Sequence, residues 1–146
     1  MGRLVLELFG VRDALTIRYS DAVCTALQLT NFYQDVSIDI QKNRIYISLD
    51  EIEKFGVSLN QFQLKENSPN LEKLLKYQVD RTKDLFTQGQ NIVDRLPANL
   101  KKQIKMTILG GVKILDKIEY LNYKVINYRP KLSKIDYLKI FIKAMI

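Results

Sequence analysis

The stretch QLTNFYQDVSIDIQKNRIYIS, residues 28–48, decides how this chain is read. On a helix, Gln28, Asn31, Asp35 and Asp39 follow at steps of three and four and so form one polar stripe. Leu27, Leu29, Phe32, Val36, Ile38 and Ile40 occupy much of the remaining surface. A stripe facing water would cost only a few tenths of a kcal/mol in repulsion between Asp35 and Asp39, and nothing would follow from it. A stripe facing inward sets two desolvated carboxylates roughly 6 Å apart, which stay ionised only beside cations. Mg²⁺ suits such a pair, because it takes one or two carboxylates and leaves its other positions to water and phosphate oxygens. Asn31 and Gln28 then complete the polar lining. Arg44 and Tyr46, in the turn that follows, offer a fixed cation for a phosphate and a hydroxyl beside it.

Outward from this stretch the chain reads as helix after helix. Leu4, Val5, Leu8 and Phe9 predict a helix over 3–9, closed by Gly10. The carboxylate helix is expected to run from Ser20 or Asp21, as its cap, to about Ile40. QKNRIYIS is extended or turn, and Ser48-Leu49-Asp50-Glu51 is a capping box ahead of a short helix ending at Gly56. SLNQFQLKENSPN is a connection with one turn of helix. Apolar periodicity predicts helices over 70–96, up to Pro97, and from Ala98 to Tyr128. The Gly110-Gly111 pair inside the second costs about 1 kcal/mol per residue and signals close packing or a kink, the competing reading being room for a ligand. Over SKIDYLKIFIKAMI, Ser133 and Asp136 form a capping box, and Ile135, Leu138, Phe141, Ile142 and Met145 make an apolar stripe away from Lys134, Lys139 and Lys143. No alternating strand pattern is present, so the expected class is all-α.

At 146 residues the chain has room for one domain with a real core. No apolar run approaches the ~20 residues of a membrane span. The N-terminal segment, with Glu7 inside its apolar run, does not read as a signal peptide. A single cysteine, Cys24, excludes an internal disulfide and fits the cytoplasm. The chain has no histidine, which removes His-based zinc sites and every triad with a His base. The balance of 23 Lys+Arg against 16 Asp+Glu gives +7. No dense basic cluster with interleaved aromatics accompanies it, so nucleic acid is not the expected partner.

The string 28–48 resembles the second aspartate-rich motif of the squalene/phytoene synthase family, in the form QLTNFYQDVSID followed by RIYIS. The Phe-Tyr-Gln-Asp variant looks most like the bacterial squalene-forming branch tied to hopanoid synthesis. GRLVLELFG resembles the helix before that motif. The segment with Arg81, Gly89 and Leu96-Pro97 resembles a later helix, and ILDKIEYLNYKVINYRPKLS the C-terminal region. The resemblance implies an isoprenoid-synthase-type helical bundle around a hydrophobic cavity, condensing two prenyl diphosphates head to head, farnesyl diphosphate being the expected substrate. It implies that Asp35 and Asp39, assisted by Asn31, hold Mg²⁺. Gln28 would line the cavity, Arg44 and Tyr46 would touch the diphosphate, and Tyr123 would approach the site. Phe32, Leu27 and Ile108 would wall the prenyl chains or serve as ordinary core.

Two departures stand out. Ser48 replaces the family's usual Pro, which its capping role absorbs. The first aspartate-rich motif has no counterpart here, because Asp80 and Asp84, though correctly spaced, match a later helix and enclose two cations. Residues 1–146 are therefore expected to form the C-terminal portion of a synthase domain. Its expected partners are an N-terminal half or a second copy, and the alternative role is a non-catalytic scaffold of the same fold. The last helix is expected to dock its apolar stripe on the protein's own core; the competing reading is contact with the inner face of an anionic membrane.

Overall fold

Asp13 starts the central helix of the bundle. Its side chain accepts from the Thr16 amide at 2.9 Å and caps a helix running Ala14–Gln34. The computed structural model describes residues 2–146, in which every regular element is helical. In chain order these are α1 (Gly2–Leu8), α2 (Ala14–Gln34), α3 (Val36–Asp39), α4 (Leu49–Lys54), α5 (Leu59–Leu64), α6 (Pro69–Gly89), α7 (Ala98–Tyr120) and α8 (Lys134–Met145). Single 3-10 stretches follow α3 (Ile40–Lys42) and α6 (Gln90–Arg95). The all-α class is therefore correct.

Helix α2 packs on α6, α7 and α1 and is the spine of the bundle. Two glycines allow α2, α6 and α7 to approach closely. A Cβ at Gly89 would meet Val23 Cγ2 at 2.6 Å and the Tyr19 carbonyl at 2.9 Å; one at Gly111 would meet Phe86 Cζ at 2.5 Å and Leu27 Cδ2 at 3.1 Å. Leu74, Leu75, Val79, Leu115 and Ile118 fill the interior between these helices.

A polar network runs from that interior to the surface. The Tyr33 hydroxyl donates to Gln78 Oε1 (2.8 Å), Gln78 Nε2 donates to Glu51 (2.6 Å), and Arg81 donates to both Glu51 and Gln78. Burial alone would raise the Glu51 carboxyl pKa, but the Gln78 hydrogen bond and the Arg81 charge outweigh it and hold it below its ordinary value. Glu51 thus does not close the expected capping box on Ser48; Ser48 caps α4 by itself, and Glu51 ties α4 to α6.

Several helix limits depart from the sequence-based expectation. Helix α2 begins at Asp13 rather than Ser20, which is buried mid-helix. The sequence ALTIRYS has no apolar stripe of its own to announce a helix; its packing partner is the distant Arg95, whose guanidinium donates to Thr16 and Asp13. The carboxylate helix also breaks at Asp35 (φ −99°, ψ 8°) before resuming as α3. The stretch up to Leu96 is α6 followed by a 3-10 stretch rather than one helix. Helix α7 ends at Tyr120, eight residues early, because Asn122 and Tyr123 turn the chain in the left-handed region (φ 49° and 61°). At the glycine pair, close packing belongs to Gly111 alone; the nearest atom to a Gly110 Cβ is 3.9 Å away.

Helix α8 corrects its expectation most sharply. It docks through Asp136, Ile140 and Ala144, while Ile135, Leu138, Phe141, Ile142 and Met145 are all exposed. The rotation is fixed by charge. Asp136 accepts from the Ser133 amide and hydroxyl at 2.7 Å and receives Lys117 at 2.9 Å and Lys113 at 4.0 Å, both from α7.

Candidate functional site

The four residues of the polar stripe keep their helical order through the break. The Asp35 amide donates to the Asn31 carbonyl at 2.9 Å, and the Asp39 amide donates to the Asp35 carbonyl at 2.8 Å. The two aspartates therefore remain one turn apart although α2 and α3 are distinct. The chain then turns at Asn43 (φ 54°), and the Arg44 amide closes that turn on the Asp39 carbonyl at 2.9 Å.

At this end of the stripe, Asp39, Arg44 and Tyr46 line a narrow cleft of about 10 Å³ with Phe32, room for one water molecule. Tyr46 is held by its ring, which stacks on Phe32 at 4.2 Å between centroids and 6° between planes. The guanidinium of Arg44 is exposed and forms no ion pair among the described residues. Asp35 is half-buried and bonded to Arg129 Nε at 2.6 Å. Arg129 was not singled out by the sequence, since 94 residues separate the pair. The Gln34 amide fastens the same segment through the Pro130 carbonyl at 2.8 Å.

At the other end, Gln28 and Asn31 lie on the wall of an open groove of about 560 Å³. The groove is lined mainly by apolar side chains of four elements, among them Leu6, Val23, Leu27, Ile92, Leu100 and Ile104. Ser20, Cys24 and Thr107 add small polar groups. Its size falls in the range of small-molecule sites. Of the three apolar residues considered as walls, Leu27 lines the groove, Phe32 lines the cleft, and Ile108 is buried on another face of α7.

Tyr123 has a separate neighbourhood. Partial burial raises its pKa, and Glu119, Lys76, Asp80 and Lys83 are the charges around it. Asp80 pairs with Lys76 at 2.8 Å, and Lys83 bridges Asp116 and Glu119, so this is an ion-pair surface on α6 and α7. Among the described residues no cluster of three or more His, Cys, Asp or Glu is placed to hold a metal.

The all-helical bundle with its apolar groove matches solved structures of the all-α isoprenoid-synthase fold. The squalene synthase HpnC from Alicyclobacillus acidocaldarius superposes with a TM-score of 0.80 at 37% identity, over 84% of this chain and 46% of that one. A dehydrosqualene synthase shares the fold at 18% identity, with a TM-score of 0.79. The squalene/phytoene synthase family model matches residues 1–136, and the chain belongs to that family. A 15-cis-phytoene synthase of Synechocystis is 30% identical over 88% of this chain and 40% of its own length. A hydroxysqualene synthase of Rhodopseudomonas palustris is 33% identical over 62% of this chain and 31% of its own. The chain thus spans less than half the length of these relatives.

Proposed function

We propose that this chain forms the diphosphate-binding end and one wall of a head-to-head prenyl transferase site, with farnesyl diphosphate as substrate. The observation that carries the reading is the continuity of the stripe. It runs along α2 and α3 from an apolar groove, at Gln28 and Asn31, past Asp35 to the cleft lined by Asp39 and by Arg44, which has no ion pair among the described residues. An amphiphile with an apolar tail and an anionic head matches that gradient.

The donor set fits Mg²⁺. Asp35, Asp39 and the Asn31 side-chain oxygen are hard ligands on one face, and fewer protein ligands than a closed cage suits an ion that keeps water and phosphate oxygens. Bound there, Mg²⁺ would neutralise charge on the departing diphosphate. Arg44 and the Tyr46 hydroxyl would stabilise the same charge as the carbon–oxygen bond breaks. Arg129 would hold Asp35 in place. Leu27 and the other groove residues would bind the prenyl chains and keep water from the allylic carbocation. The squalene-forming branch is supported by the 37% identity to a squalene synthase.

The test is calorimetric titration of the folded chain with a non-hydrolysable farnesyl diphosphate analogue, with and without Mg²⁺, beside Asp35→Asn and Asp39→Asn. Mg²⁺-dependent binding weakened at least about tenfold in each variant is expected, the scale of one lost charge-assisted contact. Binding that ignores both substitutions would refute the assignment. A second reading, a diphosphate-binding module without turnover of its own, is favoured by the open groove and by there being no third acidic ligand beside Asp35 and Asp39 among the described residues. Mg²⁺-dependent binding without product release from farnesyl diphosphate would select it. An N-terminal half or a second copy would then be the partner that restores turnover.

A further inference from the structure

We infer that α8 is a membrane-contact element whose outward stripe, Ile135, Leu138, Phe141, Ile142 and Met145, sits in the interface of an anionic bilayer. The helix is apolar on two opposite faces. One is buried on α7 by Ile140 and Ala144; the other is more than half exposed at every one of the five stripe residues (51–65%). A single docking surface does not need two apolar faces, and five large apolar side chains along one exposed helix face exceed what scattered surface residues explain.

Charge selects the occupant. The only acidic side chain of α8 is Asp136, which is buried and engaged by Lys113 and Lys117. Lys134, Lys139 and Lys143 are exposed, as is Lys131 just before the helix. None of the four forms an ion pair among the described residues. The exposed side of α8 is thus apolar residues with uncompensated cations, the signature of a helix lying in an anionic lipid interface.

Position separates this surface from the groove. Helix α7 lines the groove with Leu100, Ile104 and Thr107 and faces α8 with Leu109, Val112 and Lys113, on its opposite side. Whatever closes the groove therefore approaches from the side away from α8. Four of the five stripe residues also lie past residue 136, where the family match ends. No helix among the described residues is long and apolar enough to cross a membrane, so the contact is peripheral.

The experiment is co-sedimentation of the whole chain with vesicles of phosphatidylcholine alone or mixed equally with phosphatidylglycerol, with a vesicle-free control. Pelleting is expected with the mixed vesicles only. Phe141→Glu should lower partitioning by at least about tenfold, and Lys139→Gln and Lys143→Gln by about fivefold each at low salt. Leu64→Glu, at an equally exposed leucine on α5, should leave it unchanged. Circular dichroism confirms that each variant is folded. Failure of the folded wild type to pellet overturns the inference, as does pelleting that Phe141→Glu leaves intact. If Phe141→Glu instead turns a dimer into a monomer on size exclusion without altering pelleting, the stripe is a contact between two copies.

Discussion

Gly110 and Gly111 are chemically identical neighbours on α7, and the structure gives them opposite consequences. A methyl at Gly111 would press on Phe86, itself buried and unable to swing away, so Gly111→Ala should destabilise by about 1–3 kcal/mol. A Cβ at Gly110 would meet only Leu132 Cδ1, at an ordinary contact distance of 3.9 Å, and Gly110→Ala should stabilise by about 0.5–1 kcal/mol through helix propensity. Urea unfolding of the two variants reads the difference, and equal effects would contradict the packing described. The sequence shows that such a pair needs a reason, but not which member touches a neighbour. The stripe Gln28–Asn31–Asp35–Asp39 was legible because helical spacing is local. Arg129 was not, since nothing short of the folded chain brings it to Asp35.

Among the elements, α8 shows how a buried charge overrides an apolar pattern. Its strongest apolar stripe predicts the docking face, yet the docking face is the one that carries Asp136. The Ser133 amide, Lys117 and the Ser133 hydroxyl hold the Asp136 carboxyl well below the usual aspartate range. A lowered folded-state pKa means that the ionised form stabilises the fold. That contribution is complete above the ordinary value of 3.8 and is lost as pH falls below it toward the depressed folded value. The protection factors of α8 amides, taken against the intrinsic exchange rate at each pH, should therefore fall in acid below about pH 4, and Asp136→Asn should flatten that dependence. A slope unchanged in the variant would assign the acid sensitivity elsewhere, Asp13, Asp21 and Glu51 being the other carboxylates with a lowered pKa. Ser133→Ala should cost about 1 kcal/mol as a lost cap. The capping box itself was readable from sequence; its two lysine partners on α7 were not, because they sit on another helix.

For the molecule as a whole, the all-α class followed from periodicity and from the absence of alternation, while the groove did not. Periodicity marks which residues are apolar, not which of them meet a partner; Leu100 and Ile104 repeat like any core pair yet open onto a 560 Å³ space. The chain's only cysteine turns this into a measurement, because Cys24 is exposed and lies in the groove wall beside Gln28. Alkylation of Cys24 by a small maleimide should proceed readily in the free chain. A farnesyl diphosphate analogue with Mg²⁺ should slow it at least about tenfold if the prenyl tail lies in the groove, as occupancy by a tight ligand requires. Inorganic pyrophosphate with Mg²⁺ should bind the carboxylate end and leave the alkylation rate unchanged, since Cys24 is about three helical turns from Asp35. Equal protection by both ligands would mean that a conformational change, not the tail, covers Cys24. Protection by neither, with binding verified by calorimetry, would detach the groove from the diphosphate site and with it the continuity on which the proposed function stands.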